Sequence, residues 1–141
     1  MHESCAIPYR RTHLGVEFCL ISEAKVNRWE FPKLIERGDF RPDMLLDEVA
    51  SSAGAAGVLE SGQPLAEFVA ARAGESRHTT AYLMRVTSVR DTWPQQSARR
   101  RLWCLAEEAR VRLRRKPMRR LIDIALQTVT DEGAAVATSG G

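Results

Sequence analysis

An α/β (α+β) domain, a mixed β-sheet sandwiched between α-helices, is the architecture this sequence predicts. Three observations predict it. Apolar residues alternate with a period of two around residues 13–21 and 79–89, as pleated, half-buried strands require. Apolar stripes at helical spacing run through 42–53 and 118–129. Strands and helices also alternate along the chain, which argues for a sheet covered by helices.

The size and composition fit one such domain. The 141 residues are 44% hydrophobic and 28% charged, the balance of an ordinary globular protein. A chain of this length buries a core without disulfides or structural metal. It contains no apolar run long enough for a membrane span. The opening MHESCAIPYRR has no signal-peptide core. A cytoplasmic location is therefore expected. Cys5, Cys19 and Cys104 show no CxxC spacing and read as free thiols, with Cys19 and Cys104 expected in the core. His2, His13 and His78 do not form a zinc-ligand pattern.

Element by element, Leu14, Val16, Phe18 and Leu20 alternate with Gly15, Glu17 and Cys19, predicting a strand over 13–21. Pro32 keeps 29–33 out of a central strand. Pro42 and Asp43 open a helix: proline is tolerated in a first turn, and the carboxylate complements the positive end of the helix dipole. Leu45, Leu46, Val49 and Ala53 form its stripe, and Gly54 and Gly57 are expected to stop it.

A short strand is expected over 65–70 and a polar turn over 72–77. The strand over 79–89 places Tyr82, Met84 and Val86 on one face and Ala81 and Leu83 on the other. A loop over 91–100, a strand over 102–105 and a helix over 106–115 follow, the helix halted by Lys116-Pro117. The last helix is expected over 118–129, with the single domain ending at residue 130. Residues 131–141 have little to bury and are expected to be disordered.

Several segments in this order resemble a known family. Ala6-Ile7-Pro8-Tyr9-Arg10-Arg11 is similar to the opening of bacterial Nudix proteins. Trp29-Glu30-Phe31-Pro32-Lys33 resembles the segment that leads into the Nudix box. Asp47-Glu48-Val49-Ala50-Ser51-Ser52-Ala53-Gly54 stands where the family has its Arg-Glu-apolar-x-Glu-Glu-x-Gly helix. Arg100 to Trp103, Glu107 to Ala109 and Lys116-Pro117 are similar to the closing strand and helix of the diphosphoinositol and diadenosine polyphosphate hydrolase branch. The resemblance runs from Cys5 to Leu126.

It implies a pyrophosphohydrolase that holds magnesium or manganese through helix carboxylates, where the cations neutralise pyrophosphate and help activate water. The box departs from that pattern. Leu34 stands where a glycine is expected, Asp39 where the upstream glutamate would be, and Asp47 where the arginine would be. Glu48 and Gly54 match, but Ser51 and Ser52 replace the paired glutamates. Glu48, Ser51 and Ser52 share one helix edge through their i, i+3 and i+4 spacing. A hydroxyl is a poor ligand for a hard cation beside a carboxylate.

The resemblance therefore implies Glu48 as catalytic residue and metal ligand and Asp39 as a second metal ligand, with Glu36 or Glu67 as substitutes. Arg10, Arg11 and Lys33 are expected to bind the substrate's phosphates. Magnesium or manganese is expected if the protein is active, and otherwise no cofactor.

Three functions compete. The first is a phosphorylated-ligand binder, nucleoside- or inositol-diphosphate-type, with weak or no hydrolysis. The second is an active pyrophosphohydrolase built on Glu48 and acids outside the box. The third is a polyanion or nucleic-acid module built on Arg99 to Arg101, Arg110 to Lys116, Arg119 and Arg120. All but Lys25, Lys33 and Lys116 of the 21 basic residues are arginine, the side chain suited to forked phosphate contacts. Glu107, Glu108 and Asp123 dilute the basic cluster, so nucleic acid is disfavoured as a partner and a solvated face is the plainer reading. No membrane partner is expected, and a homodimer is allowed for. Trp29 and Trp103 could stack a base, but a tryptophan at a strand end is more often core.

Overall fold

The computed structural model of the chain describes residues 1–72 and 74–139. Ten elements follow in order: β1 (His2–Thr12), β2 (Gly15–Glu23), β3 (Lys33–Ile35), α1 (Pro42–Ala53), β4 (Ala55–Leu59), β5 (Ala66–Arg72), β6 (Glu75–Val89), β7 (Arg99–Leu105), α2 (Ala106–Arg112) and α3 (Lys116–Ser139). The strands form one mixed sheet in the order β4-β6-β1-β2-β7, with β3 on β1 and β5 on β6. Only β1 and β6 pair in parallel among these ladders.

β1 is a strand that the sequence reading did not predict. Its first half pairs with β3, Cys5 opposite Lys33, and its last part pairs with β2, Tyr9 opposite Phe18. Pro8 stands between the two. The Ala6 N–H donates to the Pro32 carbonyl on the β3 side, so the period of two turns the Pro8 nitrogen to that same side. There it falls in the gap between two ladders, where no donor is required. β4 was likewise expected to be a helix stop. Gly54 does end α1, with φ 65 and its N–H on the Ala50 carbonyl, but the chain enters the sheet at once. Gly57 marks a register shift in β4, not a terminator.

The other boundaries move in smaller ways. β5 reaches Arg72 and β6 begins at Glu75, so the expected polar turn is shorter; its Ala73 lies outside the described residues. α2 ends at Arg112, and the expected last three residues of that helix form the link to α3. α3 runs on to Ser139, past the expected end at Val129 and into the segment expected to be disordered. Residues 140 and 141 of that segment lie outside the described residues.

Two cores flank the sheet. Ala6, Cys19, Ile21, Tyr82 and Met84 point to α1, where they meet Leu45, Val49 and Ala53. Ile7, Tyr9, Phe18, Leu20, Ala81 and Leu83 point to the other face, against Ala109, Leu113, Leu121, Ile122, Ala125 and Val129. The expected two faces of β6 are thus each buried under a different helix layer. Cys5, Cys19 and Cys104 are all buried free thiols.

Candidate functional site

The two serines of the helix edge Glu48-Ser51-Ser52 are bonded within the protein. Ser52 is 1% exposed, and its hydroxyl donates to the Glu48 carbonyl one turn back at 2.8 Å. Ser51 Oγ accepts from Gln95 Nε2 at 3.0 Å, and the Ser51 carbonyl accepts the Gln95 N–H at 2.9 Å. The β6–β7 loop is thereby fastened to the last turn of α1. Arg101 completes the joint: its Nη1 donates to the Ala53 and Arg90 carbonyls at 2.9 and 2.8 Å, and its guanidinium lies over the Trp93 ring. A cation donating to the final carbonyls also complements the helix dipole.

Asp39 is exposed in the β3–α1 loop. Glu36 accepts a hydrogen bond from Ser4 Oγ at 2.5 Å, and Glu67 lies 3.8 Å from His78 Nε2. Among the described residues, no group of three or more His, Cys, Asp or Glu side chains is placed to hold a metal ion.

A cavity lies elsewhere, on the α3 side of the sheet. It has a volume of about 800 Å³. Glu3 and Cys5 of β1 and Lys33 of β3 form one wall. Val26, Arg28, Trp29, Glu30 and Phe31 of the β2–β3 loop form another. Leu113, Arg114, Arg115 and Met118 close it from the α2–α3 link. Arg28 and Arg99 add two more cations. Lys33 is balanced by Glu30 at 3.4 Å and Arg99 by Glu23 at 4.0 Å. Arg28, Arg114 and Arg115 make no ion pair among the described residues. Burial pushes the Cys5 thiol up to about 12, with Glu3 adding to the shift and Lys33 opposing it. Cys5 is therefore a neutral wall atom and not a nucleophile near neutral pH.

Of the three cations expected to bind phosphate, Lys33 lines this cavity. Arg10 is held by Glu17 at 2.9 Å and stacks on Trp103, 4.0 Å from the ring centroid. Arg11 donates to the Val129 carbonyl at 3.1 Å. Trp103 packs against the α1 core, whereas Trp29 belongs to the α3 core and also faces the cavity. Sequence reasoning did not single out Glu3, Arg28 or Phe31. Glu3 is distant in the chain from Arg28 and Phe31, and the β1–β3 pairing brings the β2–β3 loop to it.

Part of the basic C-terminal cluster is tied down locally. Arg110 pairs with Asp123 at 2.7 Å and Arg112 with Glu108 at 3.2 Å, while Arg119 donates to the Leu113 and Arg114 carbonyls. No helix among the described residues is long and apolar enough to cross a membrane.

No protein-family model and no curated protein sequence matches the chain. Solved structures do. The chain superimposes on a Caenorhabditis elegans Ap4A hydrolase binary complex with a TM-score of 0.77 and 15% identity, over 92% of this chain and 98% of that one. The Nudix domain of Shewanella oneidensis NrtR, in complex with ADP ribose, gives a TM-score of 0.71 and 12% identity over 92% and 88%. A Nudix hydrolase from Nitrosomonas europaea gives 0.68 and 15% over 87% and 86%. With the mixed sheet between α1 on one face and α2 and α3 on the other, these superpositions show that the chain has the Nudix hydrolase fold.

Proposed function

We propose that this protein binds a phosphorylated small molecule, of nucleoside- or inositol-diphosphate type, and hydrolyses it weakly or not at all. One observation carries the reading. The cavity offers cations without acid partners, Arg28, Arg114 and Arg115, beside an aromatic wall at Trp29. The edge that would hold a cation offers Glu48 with two hydroxyls already bonded inside the protein. Guanidinium forks match phosphate oxygens. Lys33 shares the phosphate contact. One structural neighbour is an Ap4A hydrolase and another is in complex with ADP ribose, which fits a ligand of this class.

Glu48, with Asp39, is what remains for a divalent cation, and loss of two carboxylate ligands is worth several kcal/mol of transition-state stabilisation, on the order of a thousandfold in rate. Calorimetric titration with ADP-ribose, dinucleoside polyphosphates and diphosphoinositol polyphosphates tests the binding. Phosphate release with magnesium or manganese, for the natural protein and for Glu48→Gln, tests the chemistry. Binding without turnover is the expected result. Sustained turnover that Glu48→Gln abolishes would make the protein an active pyrophosphohydrolase instead.

A further inference from the structure

Glu3 is a buried charge with unused bonding capacity, and it lines the cavity. Its side chain is 3% exposed. Oε1 accepts from Thr79 Oγ1 at 3.0 Å. Oε2 has Arg77 Nη1 at 3.8 Å, beyond hydrogen-bond length. An ionised carboxylate accepts at about four lone-pair positions, so most of its capacity is left open. The cavity's other acids are placed differently. Glu23 is mostly exposed beside Arg99, and Glu30 is partly exposed beside Lys33.

The sheet fixes Glu3 rigidly. It sits on β1 between Ile35 of β3 and Thr79 of β6. A buried carboxylate is costly to keep unless donors reach it, and a group mounted on a central strand is held with little freedom. The same cavity is lined by Trp29 and Phe31, and by Arg114 and Arg115 of the α2–α3 link. A ligand that puts its phosphate on those arginines has its organic part left to meet the aromatic wall and Glu3.

We propose that Glu3 is a specificity-determining residue, accepting two adjacent N–H or O–H donors from the nucleoside part of the ligand. The inference rests on the phosphorylated-ligand reading above. Two chemical groups present such a donor pair: the amino edge of a 2-aminopurine-type base, and the vicinal hydroxyls of a ribose. Either one matches the two oxygens of a carboxylate, and a site built for donors rejects analogues that lack them.

Calorimetry on the full chain and on Glu3→Gln, with GDP, IDP, ADP, 2′-deoxy-ADP and inorganic pyrophosphate, tests the proposal. Glu3→Gln keeps an acceptor for Thr79 but loses one of the two ligand acceptors and the charge. It should weaken the donor-bearing nucleotide about tenfold to a hundredfold and leave pyrophosphate unchanged. A loss for GDP but not IDP identifies the base edge. A loss for ADP but not 2′-deoxy-ADP identifies the ribose.

Equal affinities for natural protein and variant across all nucleotides would overturn the proposal, as would an equal loss that includes pyrophosphate. If pyrophosphate binds the natural protein and the nucleotides bind no more tightly, only the Glu3 proposal falls. If nothing binds, the phosphorylated-ligand reading falls and takes this one with it. Should Glu3→Gln fail to fold, Glu3→Asp, which withdraws the charge by one methylene, is expected to give the same selective loss.

Discussion

Gln95 grips Ser51 at two points, its backbone N–H on the Ser51 carbonyl and its side-chain amide on Ser51 Oγ. The pair ties the β6–β7 loop to the end of α1, where Arg101 and Trp93 already pack. A double-mutant cycle of Ser51→Ala and Gln95→Ala should show a coupling of about 1 kcal/mol in denaturant unfolding. Independent effects would mean that the side-chain bond contributes nothing to the joint.

Ser52 responds differently because it is buried. Ser52→Ala removes a hydroxyl bonded within its own helix and should cost less than about 1 kcal/mol. Ser52→Glu forces a carboxylate into the α1 core beside Leu45, Val49 and Ala53 and should cost about 3 kcal/mol or more. Thermal melting of the two variants reads the difference. Restoring an acid at Ser51 alone is thus the gentler route to a test of metal-dependent turnover.

Gly57 is required by close approach. A Cβ there would stand 2.0 Å from the Arg85 carbonyl oxygen, a backbone atom that cannot swing away. Gly57→Ala should destabilise by about 2 kcal/mol or more. Gly62, which has open space around it but φ 64, should cost about 1 kcal/mol as alanine. Comparing the two unfolding midpoints checks the order.

Stability should fall on the alkaline side. Burial pushes Cys5, Cys19 and Cys104 from 9.0 up to about 12. Each folded thiol keeps its proton where the unfolded one gives it up, so the folded state binds more protons between pH 9 and about 12. The stabilisation is complete below pH 9 and drains away as pH rises through that window. Tyr82, raised by burial and then by Glu36 and Glu67, adds in the same direction. Urea unfolding from pH 8 to pH 11 should show the decline, and Cys19→Ala should make it shallower.

Ligand affinity should follow the unpaired cations. Arg114→Ala with Arg115→Ala is expected to weaken pyrophosphate about tenfold or more and to flatten the salt dependence. Arg10→Ala, whose guanidinium is committed to Glu17 and Trp103, should leave it within about twofold on the same ground. Titrations at two salt concentrations distinguish them.

α1 was legible in the sequence from Pro42 to Gly54 because everything that shapes it is local. The proline starts it, the stripe Leu45, Val49 and Ala53 gives it a buried face, and Gly54 adopts the left-handed conformation that ends it. β6 was legible for the same reason, its alternation Ala81 to Met84 serving the two cores in turn. Cys19 and Cys104 were read correctly as core because a thiol in an apolar alternation has little else to do. Local chemistry carried these elements.

Other features were set by partners far away in the chain. β1 was not read from the sequence, and Pro8 sits in it only because the gap between β3 and β2 supplies a place where no donor is needed. Ser51 read as a lost ligand, and only the fold shows that Gln95 holds it. Glu3 carried no sequence signal, yet β3 and β6 bury it in the cavity wall beneath arginines more than a hundred residues away. The sequence by itself determined where the helices begin, which faces are apolar and how sparse the acids of the signature helix are, because these depend on neighbours three or four positions off. The tertiary structure decided which charges are paired, which are buried and which face the cavity, because those depend on contacts that only the folded sheet creates.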